Sequence, residues 1–286
     1  MKKFFLLNQR FFEFILHSGT TMLGIIFAIE NISPLFKFQT YLPFIASFIC
    51  LTQEYMFNDW AGFTEDFKDP AKQNRFIFKI GRNNALKISI ALIIIYLCLM
   101  WYLKLFVIGI ALVFLSTVYS HPLTNIKTKP FLPYILFYVF ILLFFASGYM
   151  RFSDSWKDVL SFSLFFGLII IAGQINQELR DYETDSENGV FTTVQLLPKR
   201  YFFIVQNILF LLSIFVFYSI FKRGFISCYM LFIYTVFIVF FIFYSSFRGF
   251  KDRLSSNFFS YNKKFYQIMY FIVGLVLLYD RILIIS

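Results

Sequence analysis

Charge is scarce in this chain. Only 15% of its 286 residues are Asp, Glu, Lys or Arg, while 59% are hydrophobic. Soluble domains carry roughly 25% charged residues, and one of this length could not hide so much apolar surface in a single core. A soluble globular protein is therefore excluded; a bilayer removes the difficulty, because there the outside of the protein is apolar too. Cysteine is scarcer still. Cys50, Cys98 and Cys228 all lie in apolar stretches with neither metal-ligand spacing nor a paired framework. That excludes a cysteine-held metal and a disulfide scaffold and leaves three packing residues. A basic soluble face interleaved with aromatics is also missing, which excludes a nucleic-acid partner. The formal net charge of +10 then reads as the basic bias of inner loops in membrane proteins. The 45 phenylalanines are mostly a habit of composition.

What is present is a series of long apolar runs. A helical span needs about 20 mainly apolar residues, and nine segments qualify approximately: 11–32, 41–57, 84–103, 105–120, 131–150, 158–177, 202–221, 225–246 and 265–285. The third and fourth are separated only by Lys104 and are expected to be two helices joined by a tight turn. Pro130 and Pro133 open the fifth, where a missing N–H costs little. The start MKKFFLL has the basic front of a signal peptide, but Arg10 and Glu13 interrupt it and a retained first span is expected. With the N-terminus in the cytoplasm, 19 of the 26 Lys and Arg residues fall on inner segments and seven on outer ones. The expectation is an all-α, polytopic membrane bundle of about nine transmembrane helices in a single domain over 1–286. Its C-terminus lies outside, and a bacterial inner membrane is the expected location.

The acids are concentrated. Of 16, four lie within 59–69 (Asp59, Glu65, Asp66, Asp69) and five within 178–187 (Glu178, Asp181, Glu183, Asp185, Glu187). Both groups follow the inner ends of spans, the second and the sixth, which suggests two equivalent corners serving one cavity. Carboxylates beside lipid are costly and tend to mark sites. Asp181 and Asp185 are four apart, so a continuing helix puts both on one face. Asp59 and Asp66 are seven apart, two turns on the same face, and Asn58 adds a neutral oxygen. Neither group contains His or Cys. Oxygen-only donors suit a hard cation, magnesium or alternatively manganese, over zinc. Arg75, Arg82, Lys127 and Lys129 are nearby cations able to reach phosphate oxygens. Glu54, one turn before Asn58, is a candidate supporting partner. Gln174, Asn176 and Gln177 are expected chiefly in helix–helix hydrogen bonds, as is the pair Glu13 and His17.

These residues resemble the UbiA superfamily of intramembrane prenyltransferases. The family's first motif is Asn-Asp-x-x-Asp-x-x-x-Asp; here NDWAGFTED, residues 58–66, keeps Asn58, Asp59 and Asp66 and has Gly62 at the middle aspartate. The second, Asp-x-x-x-Asp-x-x-x-Gly followed by threonine, is matched in full by DYETDSENGVFTT, from Asp181 to Thr193. Between them YSHPLTNIKTKP, residues 119–130, is similar to the family's Tyr-Ser-x-Pro segment with a following lysine. NRFIFKIGR, residues 74–82, loosely resembles its Asn-Arg-Pro…Gly-Arg stretch, without the proline.

The resemblance implies a prenyl diphosphate donor, a lipophilic acceptor (aromatic acceptors among them), and a surrounding membrane lipid phase. It implies magnesium held by Asn58, Asp59, Asp66, Asp181 and Asp185, the four aspartates being the catalytic set. Asn58, Arg75, Arg82, Lys127 and Tyr119 are then the diphosphate-binding residues. Gly62 removes one carboxylate and leaves Glu65 and Asp69 as the nearest replacements. Two other readings stand beside this one: a catalytically degenerate UbiA-like binding protein, which Gly62 favours, and a multi-span transporter. Oligomeric state is not fixed by the sequence.

Overall fold

The computed structural model describes residues 17–67, 76–124, 126, 129–187, 191–252 and 254–286, without the side chains of residues 65, 66, 250 and 269. Every regular element among them is helical. Residues 17–28 form α1. There follow α2 (Leu42–Ala61), the short α3 (Phe63–Asp66) and α4 (Ile77–Ile80), then α5 (Arg82–Tyr102), α6 (Phe106–Ser120) and α7 (Leu132–Tyr149). The chain ends with α8 (Trp156–Glu187), α9 (Lys199–Lys222), α10 (Cys228–Lys251) and α11 (Ser256–Ile285).

Among the described residues, six helices are long and apolar enough to cross a membrane: α5, α7, α8, α9, α10 and α11. The other three expected spans fall short for separate reasons. Helix α6 has 15 residues, about 22 Å, shorter than the roughly 30 Å hydrocarbon layer. The second half of α2 carries Gln53, Glu54, Asn58 and Asp59. Residues 11–16 of the first lie outside the described residues, as does Glu13 of the expected Glu13–His17 pair. Large apolar side chains such as Ile94, Val107, Phe215, Phe232 and Phe243 stand more than half exposed. Such a surface needs an apolar solvent, and the chain is an integral membrane protein. Cys50 is buried and Cys98 and Cys228 are exposed, and all three are free thiols.

The chain divides into two compact units. The first holds α1 to α6 and the second half of α7. Buried Gln53 braces it, donating from Nε2 to Ser89 Oγ on α5 at 3.3 Å and accepting from Ser116 Oγ on α6 at 3.4 Å. Helix α1 and α7 approach closely because both offer glycine. A Cβ on Gly24 would collide with the Phe145 carbonyl, and one on Gly148 with the Thr21 carbonyl. Thr21 Oγ1 donates to the Phe144 carbonyl at 2.9 Å and shares a hydrogen with Ser47 Oγ at 2.6 Å. Small residues and hydroxyls serve here because lipid supplies no hydrophobic drive between helices.

The second unit holds the first half of α7 and α8 to α11. Its core joins Ile175 and Leu179 of α8 with Phe202 and Phe203 of α9 and Phe258 and Phe259 of α11. Phe165, Phe217 and Tyr234 stack through the α8–α9–α10 contact, with centroids 4.6 and 4.5 Å apart. Asn176 donates to the Phe259 carbonyl at 3.1 Å and accepts from Asn262 at 2.9 Å, so Asn176 is a helix–helix residue, as expected. At the far end of α8, Arg223 pairs with Asp158 and donates to Ser161 Oγ at 3.0 Å.

Candidate functional site

The first motif lies in the first unit, at the end of α2. Asp59 is buried and Asn58 half-buried on its last turn. The helix then stops. Gly62 leaves the helical conformation with φ −87° and ψ 5°, its N–H bonded to the Asn58 carbonyl, and α3 follows as a separate turn. The expectation that Asp59 and Asp66 share one face of a continuous helix is thus corrected. Asp66 ends α3, and its side chain lies outside the described residues, as do Asp69, Arg75 and Lys127.

Three chain segments meet around this turn. Arg82, the first residue of α5, sets its guanidinium 5.3 Å from the Trp60 ring. Trp60 packs on Phe57 at 5.1 Å, and Phe57 stacks on His121 at 6.4 Å. His121 follows directly on α6, whose last turn carries half-buried Tyr119. An aromatic row therefore links the Arg82, Asn58–Asp59 and Tyr119–His121 segments. Sequence reasoning found Arg82 and Tyr119 but not Trp60 or His121, because an aromatic or histidine in an apolar chain gives no signal until its neighbours are known.

The second motif lies in the second unit, on α8. That helix runs 32 residues without a break, about 48 Å, so the part beyond the apolar 158–177 stretch projects past the hydrocarbon layer. The continuation puts Asp181 and Asp185 on one face, one turn apart. Asp181 receives Arg180 Nε at 2.7 Å and a terminal guanidinium nitrogen at 2.5 Å. The Asp185 carboxyl is held above its usual range, chiefly by burial and further by the charge of Asp181, with Arg180 pulling the other way.

Glu178 and Glu183 serve the frame. Buried Glu178 accepts from the Tyr134 hydroxyl at 2.9 Å, and the backbones of Thr193 and Val194 also bond to it. Thr193 in turn accepts the Phe131 N–H at 2.9 Å. Burial alone would raise the Glu183 carboxyl, but bonds from Lys199 and Ser256 outweigh it and hold the group below its ordinary value. The Ser256 bond is 2.6 Å long. Glu183 thereby ties α8 to the starts of α9 and α11. Glu178 thus places Thr193 and Val194 after the second motif.

Among the described residues no three acidic, His or Cys side chains converge as a ready-made metal cage. The donors at each motif are oxygens only, and Asp181 already binds a cation, the guanidinium of Arg180. The donor set therefore fits a hard divalent ion that completes its shell with phosphate and water oxygens.

The sequence profile of the UbiA prenyltransferase family matches residues 18–273. The chain belongs to this family. No curated protein matches it in sequence. Among solved structures, a digeranylgeranylglyceryl phosphate synthase is 18% identical with a TM-score of 0.74, the alignment covering 99% of each chain. A UbiA homolog from Archaeoglobus fulgidus bound to GPP and Mg2+ is 13% identical with a TM-score of 0.71, covering 96% of this chain and 97% of that one. The apo UbiA homolog from Aeropyrum pernix K1 is 14% identical with a TM-score of 0.69, covering 92% and 97%. At these identities the likeness is one of UbiA fold, and the family match makes prenyl transfer the general chemistry.

Proposed function

We propose that this chain transfers an isoprenyl group from a prenyl diphosphate to a lipophilic acceptor within the membrane, using magnesium. The observation that carries the reading is the pair Asp181 and Asp185, one turn apart on the projecting end of α8, one of them already paired with a cation. The Archaeoglobus homolog, which binds GPP and Mg2+, supports the same donor class.

Asn58, Asp59 and Asp66, with Asp181 and Asp185, would hold the ions. Bound magnesium, or manganese, supplies positive charge against the oxygens of a departing diphosphate. The chain's own cations add to this: Arg82, Arg75 and Lys127 donate to non-bridging oxygens, and the Tyr119 hydroxyl offers a further donor. As the allylic C–O bond breaks, the apolar helices keep water from the prenyl carbon. Nearby aromatic faces stabilise its positive charge by about 0.5–2 kcal/mol each. The carbon then bonds the acceptor, which gives up a proton. The reading includes about nine spans, α1, α2 and α6 joining the six long helices, with the N-terminus and both motifs on the cytoplasmic side.

Incubating the purified protein with a panel of prenyl diphosphates and a membrane lipid extract, followed by mass spectrometry, tests this. A new prenylated lipid that forms only with magnesium supports it; diphosphates left intact throughout the panel contradict it. One observation favours a second reading, a binding protein that turns over poorly. Gly62 leaves the first motif one carboxylate short.

A further inference from the structure

A cavity lies in the first unit, at the opposite end of α5 from Arg82. Helix α5 has 21 residues, so about 31 Å separates its two ends, the thickness of the hydrocarbon layer. The cavity has a volume of about 720 Å3 and is open on one side; Trp101, Tyr102, Lys104, Phe106, Met150 and Asp154 are among the residues lining it. Its walls are mainly apolar. Trp101 and Tyr102 are largely exposed, as suits rings at a membrane–water boundary. Trp101 is held edge-on to Phe106 at 5.1 Å.

Lys104 is the telling residue. It ends α5 with φ +63°, the left-handed region that disfavours side chains. The turn is a Schellman motif: the Leu105 N–H bonds the Met100 carbonyl at 2.8 Å and the Lys104 N–H bonds the Trp101 carbonyl at 3.0 Å. The same motif closes α9, where the Phe225 N–H bonds the Ile220 carbonyl and the left-handed residue is Gly224, φ +76°. Glycine is the unstrained choice at this position. One turn of this protein uses it; the turn beside the cavity uses lysine instead. Phe131 and Leu254 also take positive φ, so the conformation alone assigns no role; what singles out Lys104 is a cation on the wall of a mainly apolar cavity. Asp154, on the same cavity, supplies the opposite charge. The side chains of Lys104 and Asp154 have no hydrogen-bonded or ion-pair partner among the described residues.

We propose that this cavity binds an aminophospholipid through its phosphoethanolamine headgroup. The lipid phosphate takes the Lys104 ammonium, and the primary ammonium of the headgroup donates to the Asp154 carboxylate. The acyl chains lie along Phe106 and the exposed Val107. The charges select among lipids. A choline headgroup has no N–H to give Asp154. A glycerol headgroup has no cation, so its phosphate leaves Asp154 unmatched. Among the described residues, none from either aspartate motif lines the cavity, and the proposal stands whether or not prenyl transfer does.

Native mass spectrometry of the full chain in detergent, titrated with phosphatidylethanolamine, phosphatidylcholine and phosphatidylglycerol of identical acyl chains, tests it. The ethanolamine lipid binds roughly tenfold more tightly than either rival, the worth of one charge-assisted hydrogen bond. Lys104→Gly removes the strain and the phosphate-binding cation together, so its melting temperature is equal to or above that of the parent while all three lipids bind more weakly. Asp154→Asn, at an exposed position, removes the preference over choline without affecting the fold. Equal binding of the three lipids by the parent protein overturns the proposal. So does a preference that survives Asp154→Asn, undiminished lipid binding by Lys104→Gly, or a loss of either seen only where the melting temperature has fallen.

Discussion

Tyr134, near the start of α7, donates its hydroxyl to the buried carboxylate of Glu178, a turn before Asp181 on α8, across 2.9 Å. The same carboxylate is bonded by the backbones of Thr193 and Val194, which follow the second motif. One acid thus gathers three stretches of chain around the motif. Its removal leaves a phenol and backbone groups without their acceptor. Glu178→Ala should therefore lower stability by about 3 kcal/mol, and Tyr134→Phe by about 1–2 kcal/mol. Glu178→Gln, which keeps an acceptor oxygen, should fall between Glu178→Ala and the parent. Thermal unfolding in detergent gives the order directly; equal losses for Gln and Ala would show that the carboxylate's hydrogen bonds are not what matters.

Gly148 should tolerate no side chain. A Cβ there meets the backbone carbonyl of Thr21, and neither backbone can yield without separating α1 from α7. Gly148→Ala should cost at least about 2–3 kcal/mol, at the upper end for overpacking. Gly274, where nothing lies near a Cβ, is the control: Gly274→Ala should leave the melting temperature unchanged or slightly raised. Loss of folding in both would deny the close contact its special role.

Gly62 offers a gain rather than a loss. Its φ of −87° suits any residue, so Gly62→Asp restores a carboxylate without backbone strain. The expected result is a several-fold tighter magnesium dependence with a melting temperature near that of the parent. A Gly62→Asp variant no more active than an inactive parent would favour the binding-protein reading.

How far the sequence could be read follows the range of the interactions. The helices were legible because long apolar runs admit few other structures in lipid. The tight turn at Lys104 was legible because α5 and α6 together are too long for one span. The second motif was legible because four-residue spacing on a helix means one face. The division of labour among its acids was not. The sequence set Asp181 and Asp185 apart but gave Glu178 and Glu183 no role, because their partners lie 44, 16 and 73 residues away in Tyr134, Lys199 and Ser256. The break after Ala61 was also hidden. A glycine one turn past a run of helix formers is compatible with either continuation or a stop, and the structure stops.

Arg180 occupies the carboxylate that a metal would need, since it meets both oxygens of Asp181. A guanidinium and a divalent ion compete for the same lone pairs. Arg180→Ala should therefore lower the magnesium concentration needed for half-maximal binding several-fold, as read by isothermal titration of the purified protein. A rise in that concentration would mean that the arginine orients Asp181 for the ion instead of excluding it.

The most direct measurement is diphosphate release from a prenyl diphosphate by the protein in lipid nanodiscs, across a magnesium titration, for the parent, Asp181→Ala and Asp185→Ala. Release should require magnesium, stop on chelation, and fall at least about 100-fold in each variant, the size expected for losing leaving-group stabilisation. Release at the parent rate in both variants, or release indifferent to chelation, would contradict the assignment of the chemistry to these two aspartates.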